Sequence, residues 1–472
     1  GLFANGGPGA PGVPDVSHPD TKLSVVSDYA FAGQGSNKIK AHIVDEFGNP
    51  VVGVDVSFTW NPGTGDVSVV STTNADGDAF LSTGFIVAGT LDIKAKVLIG
   101  ATWVPLANAN PITVTFIEYK PDVDASETRL IVASNNAKAN GTATNCVKAH
   151  IAGANGLPVD GQTVDFVITG AATAASPLSA VTDLNGDATL CMTSTLAGNV
   201  TVTATVNGIP IVNGSPATVT FTADVPSTSN PATKFTVEKN NAVADGTDHN
   251  QVKAHIADAH GNPVPNQDVV IEIVSGTASP STVQTVKTDA AGNAILNYTS
   301  TVAGNVVVKA SVGGAALSGS PKTIVFVNDA PSTGAPTTFL EITSNNAKAN
   351  GTTTNCVKAH VTDAHGNPVA GQTVVFTITG PASPSTAVSV TTNAQGEASS
   401  CYTSTVAGSI VVTAKLGGNT INDPKTLVFV ADAPSTTNPA TKFTVEKNNA
   451  VANGTDHNQV KAHIADAHGN PV

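Results

Sequence analysis

The 472-residue chain is too long for one hydrophobic core and fits three to five domains. Charged residues make up 12 % and aromatics 4 %, with valine, threonine, alanine, glycine and asparagine dominant, which favours short strands and turns over long amphipathic helices. The net charge is −13 and Arg129 is the sole arginine, so the sequence offers no clustered guanidinium surface for nucleic acid; nor does any run approach the roughly 18 apolar residues of a membrane span.

Residues 1–19 read as a Gly/Pro-rich linker, without the basic start and apolar run of a signal peptide. One block then recurs: IKAHIVDEFGNPV from Ile39, VKAHIAGANGLPV from Val147, VKAHIADAHGNPV from Val252, VKAHVTDAHGNPV from Val357 and VKAHIADAHGNPV from Val460. Its histidines, His42, His150, His255, His360 and His463, lie 108, 105, 105 and 103 residues apart, the period of a whole domain. The expected domains are 20–119, 120–224, 230–329, 335–432 and the opening part of another over 439–472. Because the last motif stops short, the chain is expected to be a fragment whose targeting and anchoring parts lie outside it.

Residues 231–264 return at 439–472 with one change, Asp245 becoming Asn453, so the duplicated unit is a pair of domains. In the third domain, strands are expected near 234–239, 249–258, 266–275, 282–288, 293–300, 304–312 and 321–328, separated by HGNP, TDAAGN and TVAGN turns. Alternation sets Val306, Val308, Ala310 and Val312 on the core face. Seven such strands predict an all-β chain of tandem immunoglobulin-like antiparallel sandwiches. The intervening VPSTSNPAT, APSTGAPTT and APSTTNPAT segments are proline-stiffened, so the domains should project end to end, each about 30–35 Å long, in an extended rod on the order of 130–150 Å for four.

Segments such as DAHGNPVAGQTVVFTITG from Asp363, TTNAQGEASSCYTSTVAGSIVVTAKL from Thr391 and TLVFVADAPS from Thr426 resemble the group 1 bacterial Ig-like domains of invasin- and intimin-type adhesins. The resemblance implies repeats of an exported inverse-autotransporter passenger, held at the bacterial surface by an outer-membrane barrel. The family's barrel, periplasmic segment and lectin-like tip have no counterpart in this sequence, and the first domain, with Trp60 and Trp103, departs most from the pattern.

Cys146 with Cys191 and Cys356 with Cys401 are each 45 residues apart within one domain, which argues for two intradomain disulfides and an oxidising compartment; four free thiols are the alternative. All four cysteines are out of phase with the core residues beside them, so each bond is expected between neighbouring strands on an outward sheet face. His255 reads as a solvent-facing strand residue rather than a zinc ligand. The turns at Asp76 and Asp78, or Asp183 and Asp187, read as hairpin chemistry rather than calcium loops; calcium at the linker residues Asp224, Asp329 and Asp432 is the remaining option. No catalytic motif, cofactor site or metal site is expected. The leading function is a structural stalk supporting adhesion outside a bacterial cell, with a host or bacterial surface receptor bound through adjoining domains. Alternatives are repeats that bind a host ligand directly, and self-association into an extracellular filament.

Overall fold

A computed structural model describes residues 12–472. Of the stretch read as a linker, residues 1–11 lie outside the described residues, and the remainder docks on the first domain: the Gly12 N–H donates to Asp45 Oδ2 (3.0 Å) and the Asp15 N–H to the Val44 carbonyl (2.9 Å). Among the described residues there is no α-helix, and so none long and apolar enough to cross a membrane. The chain divides into two compact units, one ending at Asp224 and one beginning at Val225.

The first unit holds two sandwiches. In the first domain, Lys22–Ser27, Asn37–His42 and Asp78–Thr83 form one sheet. The facing sheet runs Ala30–Phe31, Ile112–Ile117, Gly89–Ile99, Asp55–Trp60, Val67–Thr72, with Thr102–Pro105 paired to Gly89–Ile99. Inward residues of both sheets, including Leu23, Ile39, Val56, Phe58, Ile93 and Phe116, make the core, as strict alternation requires. The second domain repeats the plan around Val147, Leu190, Met192, Val202 and Phe221.

The second unit opens with the third domain. Lys234–Lys239, His249–His255, Asp268–Ser275, Gln284–Lys287, Asn293–Thr299, Gly304–Val312 and Lys322–Val327 correspond to the seven strands expected from sequence. Val306, Val308, Ala310 and Val312 are buried. Two short strands escaped the sequence reading. Ala315–Ala316 extends a hairpin, and Ala242–Val243 pairs in parallel with Lys322–Val327. The latter exists because the chain changes sheets at Asn240 and Asn241. Asn241 takes φ 61°, a left-handed conformation that asparagine tolerates, while Asn240 Oδ1 accepts the Val325 N–H at 2.7 Å.

Buried Asn250 completes the switch: its Oδ1 accepts the Ala242 N–H (2.9 Å) and its Nδ2 donates to the Val325 carbonyl (2.8 Å), tying the two sheets together. Asn37, Asn145 and Asn355 make the same two bonds in the other complete domains. The fourth domain packs around Leu340, Val357, Phe376, Val412 and Phe429; beyond it, Lys442–Lys447 pairs with Gln459–His463.

One core position, filled by Tyr298 in the third domain and by Tyr402 in the fourth, is unfavourable. Tyr298 is fully buried, its hydroxyl has no hydrogen-bond partner among the described residues, and burial pushes its pKa up to about 12. The register-equivalent residue of the second domain is the apolar Met192, opposite Asn145 as Tyr298 is opposite Asn250. Tyr298→Phe should therefore stabilise the third domain by about 1 kcal/mol, because an orphaned buried hydroxyl is removed. Chemical denaturation of the two chains checks the gain.

Candidate functional site: staples and domain junctions

Each cysteine pair is bonded, Cys146 to Cys191 and Cys356 to Cys401, with Cα–Cα distances of 4.1 Å in both. The partners are directly opposite in register on adjacent antiparallel strands. The Cys146 N–H donates instead to Ser134 Oγ (2.8 Å) and the Cys191 N–H to Ser176 Oγ (2.9 Å), so this pair exchanges no backbone bonds and its side chains stand close. The flanking Val147, Ala149, Leu190 and Met192 are buried, which leaves the staple on the outward face. In the third domain a Gln251–Asn297 side-chain hydrogen bond of 2.9 Å occupies the same place. For a separation of 45 residues the chain-entropy argument gives a contribution of about 4 kcal/mol. Replacing Cys146 and Cys191 together by serine should lower the second domain's unfolding free energy by up to that amount, and reductant should have no further effect on that domain in calorimetry.

The repeated histidines stand on the outward-facing side of their strands, and four of them, His42, His150, His255 and His360, have a partner that sequence reading missed. His42 lies opposite Asp78 in register and meets its Oδ1 at 2.6 Å, while Lys40 reaches Oδ2 at 3.3 Å. His150 and Lys148 hold Asp187 in the same way at 2.7 and 2.9 Å. His255 meets Asn293 at 2.8 Å, and His360 lies 2.9 Å from Glu341 and stacks on Phe339. Burial alone would raise the Asp187 pKa, but hydrogen bonds from His150 and Lys148 outweigh it and hold the carboxyl below the ordinary range. In the first, second and fourth domains the acid closing the turn, Asp78, Asp187 or Glu397, therefore serves as a cross-strand partner, and Asn293 takes that place in the third. Among the described residues no group of three or more His, Cys, Asp or Glu side chains is placed to hold a metal ion.

The most elaborate polar arrangement lies where one domain meets the next. Asp363 and Asn367, in the DAHGN turn of the fourth domain, are both buried. Asp363 Oδ1 accepts the N–H groups of His365 and Asn367, each at 2.9 Å, and Oδ2 accepts Asn367 Nδ2 at 2.8 Å. The amide so fixed reaches into the third domain: its Oδ1 accepts the Ala303 N–H (2.8 Å) and its Nδ2 donates to the Thr301 carbonyl (2.9 Å). Asp466 and Asn470 hold Ala407 and Thr405 by the same bonds at the next boundary.

The linker is secured by the same carboxylate. Asp363 Oδ2 accepts the Asp329 N–H (3.0 Å), Pro331 bridges to Asp363 in antiparallel fashion, and the Ser332 N–H donates to the Thr362 carbonyl (2.8 Å). The segment thus owes its order to strand-like pairing as well as to proline. Asp329 places its own Oδ1 on the Ala330 N–H at 2.7 Å.

The junction inside the first unit is built differently, since Gly153 and Leu157 stand where the later domains carry aspartate and asparagine. A Cβ on Gly153 would lie 2.5 Å from Phe31 Cε1 and Cζ, so glycine admits this aromatic ring from the first domain. Tyr119 packs edge-on against Phe31 with centroids 4.9 Å apart and donates its hydroxyl to Asp160, while Asn155 Nδ2 donates to the Tyr29 carbonyl (2.8 Å).

Burial alone would raise the Asp363 pKa, but hydrogen bonds from Asn367, Asp329 and His365 outweigh it and depress the value. A depressed folded-state value means that the stabilisation is complete above the unfolded pKa, near 4, and is lost as pH falls through the folded one. Asn367→Ala should weaken the third-to-fourth junction by about 1–3 kcal/mol at neutral pH. The native junction should loosen only below about pH 4. Residual dipolar couplings of the two domains check both statements, with each domain's own spectrum unchanged in the variant.

Comparison with known proteins agrees with this repeat structure. The bacterial Ig-like domain (group 1) pattern matches residues 20–117, 127–222, 232–327 and 337–430. The inverse autotransporter adhesin YeeJ of Escherichia coli strain K12 is 28 % identical over 470 residues, spanning 96 % of this chain and 19 % of that protein. Among solved structures, the Escherichia coli adhesin FdeC is 23 % identical over 65 % of this chain and 98 % of its own, with a TM-score of 0.48. Invasin, described as a bacterial integrin-binding protein, is 20 % identical over 90 % of this chain and 81 % of its own, with a TM-score of 0.43. With four matched repeats covering most of its length, the chain belongs to the bacterial Ig-like domain (group 1) family.

Proposed function

We propose that this chain is a structural stalk of a bacterial cell-surface adhesin, non-enzymatic and free of cofactors, which carries a receptor-binding part away from the outer membrane. The observation that carries this reading is the Asp–Asn clamp, repeated with three equivalent hydrogen bonds at each of two successive boundaries of the second unit. A binding or catalytic protein has no need to define the angle between near-identical modules; a spacer does. The pairwise duplication fits the same role, because adding clamped pairs changes reach without altering any surface. Two disulfides suit an oxidising, extracellular setting.

Direct ligand binding by the repeats finds less support. Trp60 packs against the first domain's core, leaving Trp103, 38 % exposed, without the aromatic cluster that reading requires. On this reading a surface receptor is bound through domains other than these repeats.

The test displays the chain on a bacterial surface between a barrel anchor and an epitope. Deleting residues 225–432 should lower the epitope's height above the membrane, measured by super-resolution microscopy, while the purified chain shows no saturable binding to host cells. Unchanged height, or saturable binding by the repeats alone, would overturn the proposal.

A further inference from the structure

Most peripheral strands of these sheets are short, charged or irregular. In the second domain the outermost strand Ser179–Val181 has three residues. In the third, Gln284–Lys287 carries Lys287, ion-paired with Asp268 at 2.7 Å; in the fourth, Val388–Thr391 has four residues. The first domain's Lys22–Ser27 resembles a sticky strand in composition but is broken by a bulge between Val25 and Ser27. Such features protect an edge whose unpaired N–H and C=O groups would otherwise recruit another strand.

Val67–Thr72 has none of these protections. It is the last strand on the first domain's larger sheet, paired only with Asp55–Trp60 among the described residues. Its six residues, VSVVST, contain no charge, proline or glycine, and Val67, Val69 and Val70 are 39, 42 and 53 % exposed. Valines are exposed on both faces of the strand, so one sheet face does not account for them all.

We infer that Val67–Thr72 is a homotypic docking edge, which pairs antiparallel with the same strand in a second copy of this chain. Self-complementarity selects that partner. An antiparallel pair centred on Val69 sets Val69 against Val69, Ser68 against Val70 and Val67 against Ser71, with no charge on either strand. Backbone hydrogen bonds supply the attraction, as in other strand-addition interfaces. Antiparallel pairing relates the two copies of the first domain by a twofold axis, each contributing the same strand. This goes beyond the stalk reading and does not depend on it. The net charge of −13 opposes the approach of two copies, and pairing should therefore strengthen as salt screens that repulsion.

Sedimentation equilibrium of the whole chain reads the result. The wild type should show a reversible dimer whose population rises between low and high ionic strength. V69K with V70K, and separately S68K, should weaken association by about tenfold or more, since a charge at an edge strand blunts pairing. Far-ultraviolet circular dichroism should match the wild type in both. V69C should form an intermolecular disulfide on mild oxidation, as opposed central positions require. A wild type that stays monomeric at high salt, lysine variants that dimerise unchanged, or V69C chains that dimerise without cross-linking would each overturn the inference.

Discussion

The architecture depends on satisfying buried polar groups at the places where sheets and domains must meet. A carboxylate removed from water is tolerated only where hydrogen bonds replace its hydration. Asp363 meets that demand with four donors, and in doing so immobilises Asn367. The amide then has one donor and one acceptor left for a neighbouring backbone. Charge burial is thereby converted into a directional contact between domains.

The same economy operates inside each sandwich on a smaller scale. Asn250 has no charge to stabilise, yet its amide satisfies a backbone donor where the first strand crosses over and an acceptor on the last strand. Hydrophobic packing holds the sheets face to face but is indifferent to small slips along them. A single buried amide fixes their relative position. Its recurrence at Asn37, Asn145 and Asn355 accounts for near-uniform domains despite divergent cores.

Strand positions were legible in the sequence because period-two burial is written residue by residue: Val306, Val308 and Ala310 declare a face without help from the rest of the chain. The outward placement of Cys146 and Cys191 followed from the same parity. What escaped were features defined by two distant segments. Asn240 and Asn241 read as loop residues, and only the paired strands reveal a sheet switch. The DAHGN motif read as a turn, which it is, but its asparagine's partners lie 64 and 66 residues upstream in another domain. The His42–Asp78 pairing was open to discovery, since each histidine ends one strand and each acid begins the strand beside it; the turn reading absorbed the acid first.

The disulfides have a mechanical corollary. Each staple joins positions 45 residues apart, so a pulled domain that unfolds around it cannot release the chain between its two cysteines. At roughly 3.5 Å per extended residue, an unstapled domain of this size lengthens to about 340 Å, whereas a stapled one stops near 180 Å. Stapled second and fourth domains flank an unstapled third. An array alternating in this way extends in two grades, its unstapled modules unravelling in full and its stapled ones stopping short.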